Sequence, residues 1–202
     1  GAPLIIVSGL ALGIDGIAHR AALAAGLVTL ALPGSGLDEA VLYPSTHRAL
    51  AREIIENDGA LISEFEPNFR PTLWSFHQRN RIMAGVSHAT LVIEAEERSG
   101  TLITAKLALE YNRSVLAVPG PIFSPTAAGP NLLIRLGATP IRDAGDVLDA
   151  LGLARERAAK APEEAYRDCS PREREIIALL SAPCPRDEII RRTELSPSEV
   201  NT

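Results

Sequence analysis

Five short apolar runs alternate with four segments of helical periodicity, and no other feature narrows the possible folds as far. The runs are LIIVS (4–8), LVTLAL (27–32), ALISE (60–64), ATLVIEA (89–95) and SVLAVP (114–119). Between them lie DGIAHRAALAAG (15–26), STHRALAREIIEN (45–57), LWSFHQRNRIMAGVS (73–87) and GTLITAKLALEYN (100–112). A short strand that is apolar throughout is one covered on both faces, and strand–helix alternation then specifies βαβ units around a parallel sheet. The expected fold is α/β: a doubly wound, mostly parallel Rossmann-like layer. A further helix, NLLIRLGA (131–138), leads through TPI to AGDVLDALG (144–152).

The expected organisation is a Rossmann-like domain over 1–152, a linker over 153–169 and a partial winged-helix or helix-turn-helix domain over 170–202. The linker is rich in Ala and charge. The last segment has three helix starts marked by Pro, in SPREREIIALLSA, PRDEIIRRT and SPSEVNT. The chain opens almost inside its first strand, GAPLIIVSG, so earlier elements are expected to precede Gly1.

Charge bears on what such a layer can bind. The formal net charge is −5, which excludes nucleic-acid binding by bulk positive charge. Any anion site must be built locally. GxGxxG and GxxxxGK[ST] are both missing, so no dinucleotide or P-loop cofactor is expected. His19, His47, His77 and His88 fall on four separate segments, and no metal is expected. No apolar run is long enough to cross a bilayer. With only Cys169 and Cys184, a reducing cytoplasm is the expected location.

Each strand end is followed by small or polar residues: SGLALGID, PGSGLD, SEFEPNFRP, ERSGT and PGPIFSP. Ligands of open parallel sheets sit outside the carboxyl ends of the strands, and a small-residue turn that opens a helix offers N–H groups to an anion. These turns fit an anionic, nucleotide-like ligand. In FHQRNRIMAG, Phe76, Arg79, Asn80 and Met83 share one helix face. Arg79 thus lies on a stripe suited to burial and needs a phosphate or carboxylate partner; Glu64 or Glu94 is the internal alternative. Arg81 points about 200° away from Arg79 on such a helix. Arg98 precedes Ser99-Gly100-Thr101, where a guanidinium strengthens an anion site or offsets Glu96 and Glu97. Asp15 reads as a helix N-cap. Of the aromatic group Phe65, Phe69, Trp74 and Phe76, the periodicity assigns Trp74 and Phe76 to the core and leaves Phe69 open to base stacking.

The ordered set SGLALGIDGIAHRAAL, GSGLDEAVLYP, ALISEFEP, FHQRNRIMAGVSHATLVIEAEERSGTLITAKLALE, RSVLAVPGP and GPNLLIRLGA resembles the DNA-processing protein A family, DprA/Smf, over residues 4 to 142. The tail is similar to the small winged-helix domain carried by many members. The resemblance implies sequence-independent binding of single-stranded DNA, homodimerisation and delivery of the strand to the RecA recombinase in natural transformation. No enzymatic activity is expected. Its phosphate contacts map onto Ser8-Gly9, Gly34-Ser35-Gly36, Arg79-Asn80-Arg81 and Arg98-Ser99-Gly100-Thr101, with Lys106 at the rim. It also implies a first βα unit, with a Gly-Ser-Arg turn, ahead of Gly1.

The competing resemblance is to nucleoside-monophosphate phosphoribohydrolases of the LOG and lysine-decarboxylase-like group. Their PGGxGT turn is followed by acidic residues two and three positions past the Thr, where this chain has Ile103 and Thr104. Neither side chain can stabilise an oxocarbenium-like centre or activate water. A third reading makes the tail a duplex-reading regulator. Residues 170–202 hold five Arg against six acidic residues, whereas a groove-binding domain carries a basic face.

Overall fold

The computed structural model describes residues 4–153 together with Arg191 and Arg192. The chain divides into two compact units, residues 1–154 and 155–202. The linker and winged-helix expectations fall outside the described residues, apart from Leu153 and those two arginines.

In the first unit, β1 (Ile5–Ser8), α1 (Ile14–Ala24), β2 (Val28–Ala31), α2 (Arg48–Glu56) and β3 (Ala60–Leu61) form one half. The second half contains α3 (Leu73–Val86), β4 (Ala89–Val92), α4 (Gly100–Glu110), β5 (Ser114–Ala117), α5 (Ala128–Arg135), β6 (Thr139–Pro140) and α6 (Ala144–Ala150). All ladders are parallel. They set Ile5 opposite Val28 and Leu30 opposite Ala60 in one half, and Ala89 opposite Ser114 and Leu116 opposite Thr139 in the other. The Rossmann-like α/β class expected from the alternation is therefore present, with its layer resolved into two three-stranded halves, β1-β2-β3 and β4-β5-β6.

Each half has its own core. Leu10, Ala31, Leu42, Leu50, Ala51 and Ile54 fill the first. The second is alanine-rich, with Ala84, Ala95, Ala105, Ala108 and Ala117 around Val92, Val115 and Leu133. Small side chains let α3 pack closely along α4. Among the described residues no ladder joins β1 to β4. Ile5 on β1 and Leu91 on β4 are exposed although their runs read as fully buried.

Two side chains of α3 reach back to the first half. Ser75 Oγ donates to Gly34 O at 2.6 Å, and Arg79 Nη1 donates to Gly9 O at 2.7 Å. Thr72 and Ser75 close a capping box that fixes the start of this helix.

The aromatic group departs from expectation. Trp74 is 61% exposed and Phe76 is only half-buried, against Gly34 and Tyr43. Trp74 lies on the face of α3 opposite the Arg79 stripe, touching Phe65 edge-on. Phe69 stacks on Phe65 with centroids 4.5 Å apart.

Candidate nucleic-acid interface

A cleft of about 1250 Å³ runs between the facing edges of β1 and β4, up to the loops at their carboxyl ends. Gly9, Asp15, Phe76, His77, Arg79, Asn80, Glu94, Ser99, Gly100, Thr101 and Thr104 are among the residues lining it. Arg79 is the deepest cation, only 6% exposed. Its Nε donates to Asn80 Oδ1 at 3.2 Å and its Nη1 to Gly9 O, while Nη2 makes no hydrogen bond among the described residues. Burial lowers its pKa from the ordinary arginine value, and the nearby Asp15 carboxylate opposes that shift. The partner offered by the sequence, Glu64, pairs instead with the exposed Arg81, and Glu94 forms no ion pair with Arg79.

Gly9 is needed for this contact, since a Cβ there would stand 2.6 Å from Arg79 Nη1. The turn it opens is strained. Leu10 is fully buried at φ 60°, held by His47 Nδ1 donating to its carbonyl at 2.8 Å. Asp15 does not cap α1: the N-cap is Gly13, without a side-chain bond. The Asp15 carboxylate instead accepts the N–H groups of Gly9 and Ala11 at 3.0 and 3.1 Å. The first turn is thus filled by an anion of the chain itself, which removes the Gly9 N–H from any phosphate. Ser8 lies outside the cleft lining, with its carbonyl engaged by Leu32 N–H.

Gly34, Ser35 and Gly36 lie outside the cleft lining. All three are buried, and the Gly34 and Ser35 carbonyls accept from Ser75 and Ser63. Ser35 Oγ donates to Gly36 O and accepts from Tyr43 N–H, while Gly36 N–H donates to Phe69 O. A Cβ at Gly36 would stand 2.2 Å from the carbonyl oxygens of Glu66 and Pro67, so backbone approach accounts for this glycine. Arg81, paired with Glu64, and Lys106, paired with Glu110 at 3.8 Å, line neither this cleft nor the recess beside it. Phe69 also lies outside both.

Ser99 is the N-cap of α4, its hydroxyl accepting from Thr101 N–H at 3.2 Å. No hydrogen bond among the described residues engages the Gly100 N–H, which therefore stands at the positive end of an 11-residue helix. Asn80 Nδ2 reaches toward Gly100 O at 3.5 Å. The His77 ring borders the same point, 3.8 Å from where a Cβ on Gly100 would lie. Sequence reasoning missed His77; its place three residues before Asn80, on the same helix face, was the available signal. Arg98 is exposed, forms no ion pair among the described residues, and lines the neighbouring recess rather than the cleft. No group of three His, Cys, Asp or Glu suited to a metal occurs among the described residues, and no described helix is long and apolar enough to cross a membrane.

Known proteins share this architecture. Protein Smf of Escherichia coli K12 is 44% identical over 161 residues, covering 80% of this chain and 42% of its own length. DNA processing protein DprA of Streptococcus pneumoniae R6 is 45% identical, over 72% of this chain and 50% of its own. The chain thus spans about half the length of these relatives. The X-ray structure of DprA from S. pneumoniae superposes with a TM-score of 0.67 at 41% identity, covering 73% of this chain and 51% of that one. DNA processing protein A from Helicobacter pylori, described for its unique single-stranded DNA binding mode, superposes with a TM-score of 0.65 at 32% identity, covering 73% and 65%. The family pattern of DNA recombination-mediator protein A matches residues 2–152. With that pattern and these relatives, the chain belongs to the DNA recombination-mediator protein A family, whose members include the proteins called DprA and Smf.

Proposed function

We propose that this chain binds single-stranded DNA without marked sequence preference, within a homodimeric, non-enzymatic recombination mediator of the cytoplasm. That mediator shields incoming strands and loads RecA on them during natural transformation. One observation carries the binding reading: a deep guanidinium, Arg79, and the unengaged start of α4 meet on one open cleft. Both favour phosphate oxygens, and contacts to phosphate carry no base information, which fits binding indifferent to sequence. Of the contacts expected from the sequence, Arg79, Asn80, Ser99, Gly100 and Thr101 belong to the cleft and Arg98 to its margin. A bound strand extends onto the half-buried Phe69 if the ring face turned away from Phe65 takes a base.

The test is a gel shift with single- and double-stranded oligonucleotides of one sequence at about 50 and 200 mM salt, where a phosphate-driven complex weakens steeply. The single strand should be retained and the duplex released. Equal retention of both, or binding indifferent to salt, refutes the reading. Sedimentation of the protein alone tests the homodimer, and filament assembly by RecA on protein-coated strands tests loading.

Glu94 lines the same cleft and favours a second reading, hydrolysis of nucleoside monophosphates. Against it, Ile103 and Thr104 stand where that group has carboxylates. Release of free base that disappears in Glu94→Gln would establish the enzyme instead.

A further inference from the structure

A second recess, of about 440 Å³, adjoins the cleft. Glu96, Glu97 and Arg98 form one wall, and the turn from Ile122 to Pro125 forms the other. Glu94, Ala95 and Ser99 line the cleft itself, so the loop after β4 separates the two hollows. Phe123 is 93% exposed and Ile122 81%. Their turn is firmly tied at its base. Ser124 N–H donates to Pro121 O at 2.9 Å, Asn131 clasps both backbone groups of Gly120, and Ala95 N–H donates to Thr126 O at 2.8 Å. A bare aromatic ring on a braced turn contributes nothing to the fold that holds it.

We propose that this recess takes one nucleobase of the strand seated in the cleft, stacked on Phe123, with Arg98 at the adjoining phosphate. The proposal rests on the single-strand reading and extends it. An aromatic face accepts any base. The two carboxylates repel phosphate and so leave the base edge as their partner. They accept hydrogen bonds from the exocyclic amino groups of cytosine, adenine or guanine. Thymine has no amino group and flanks its one ring N–H with two carbonyl oxygens, which a carboxylate repels. The site therefore superimposes a bias against thymine on binding that is otherwise indifferent to sequence.

The experiment measures fluorescence anisotropy of labelled oligo-dC and oligo-dT at one salt concentration. The proteins compared are the unsubstituted chain, Phe123→Ala, Phe123→Trp and the double variant Glu96→Ala/Glu97→Ala. Phe123→Ala should weaken both complexes by about tenfold with its thermal unfolding unchanged, and Phe123→Trp should bind as the unsubstituted chain does. The unsubstituted chain should prefer dC by roughly two- to fivefold, a ratio that falls to one in the double variant. If Phe123→Ala binds as tightly as the unsubstituted chain, the recess proposal is overturned while the cleft reading stands. It is overturned equally if the substitution changes only the association state, because the turn is then a contact between copies. If the unsubstituted chain binds no single strand, the cleft reading fails and takes this proposal with it.

Discussion

Acidification tests the first core through His19, which is wholly buried. Its Nδ1 lies 2.7 Å from Thr29 Oγ1, and that hydroxyl donates to Ile6 O at 2.9 Å. Thr29 therefore accepts from His19, which fixes the neutral tautomer with hydrogen on Nδ1. Nε2 is left buried without a partner. A proton there would bring a charge and an N–H with no acceptor. Burial accordingly pulls the pKa from 6.5 to about 4, with Asp15 opposing and His47 and Arg20 reinforcing the shift. The unfolded chain protonates this imidazole near pH 6.5 and the folded one does not. The stability contribution is complete above pH 6.5 and is lost as pH falls to about 4, below which both forms are protonated. The interval corresponds to about 3 kcal/mol. Urea unfolding of the unsubstituted chain and of His19→Gln, measured from pH 7.5 to 3.5, isolates the effect. The stability difference between the two proteins should change by about 3 kcal/mol across the window. Parallel pH profiles would refute the assignment of the buried neutral ring.

Arg79→Ala should lower single-strand affinity and reduce the slope of log K against log salt by about 0.7 for each phosphate lost. It should also cost about 1–3 kcal/mol in chemical denaturation, because the buried Gly9 carbonyl loses its donor. Gly9→Ala should reproduce much of the affinity loss by pushing the guanidinium aside; unchanged affinity would separate Arg79 from the strand. Ser35→Ala should destabilise by about 1–2 kcal/mol with salt dependence unaltered, since its hydroxyl bonds only within the chain. Lys106→Ala should bind within about twofold of the unsubstituted chain, as expected of an exposed pair outside the cleft.

The order of strands and helices was legible because burial imposes a period on the sequence. β1 at 5–8 and α4 at 100–110 fall inside the runs that predicted them. The stripe of Phe76, Arg79, Asn80 and Met83 likewise lines the cleft. Partners were not legible. A glycine beside a phosphate and a glycine beside a carbonyl look alike in one chain, and Gly36 is the second kind. Nothing local announces that Asp15 fills the first turn, because its acceptor bonds depend on a backbone bend at Leu10 that no propensity favours. Trp74 misled for a related reason. An apolar side chain at a helix start reads as core unless the facing surface is known, and here α3 turns that residue outward.

Among the described residues no ladder spans β1 and β4, so side chains rather than strand pairing fasten the two half-sheets there. The ties run from α3: Arg79 to Gly9, Ser75 to Gly34, Arg81 to Glu64, and Phe76 against Tyr43. All of these ties leave one helix, so α3 is the rivet through both halves. A displacement of that single element would loosen the two cores together.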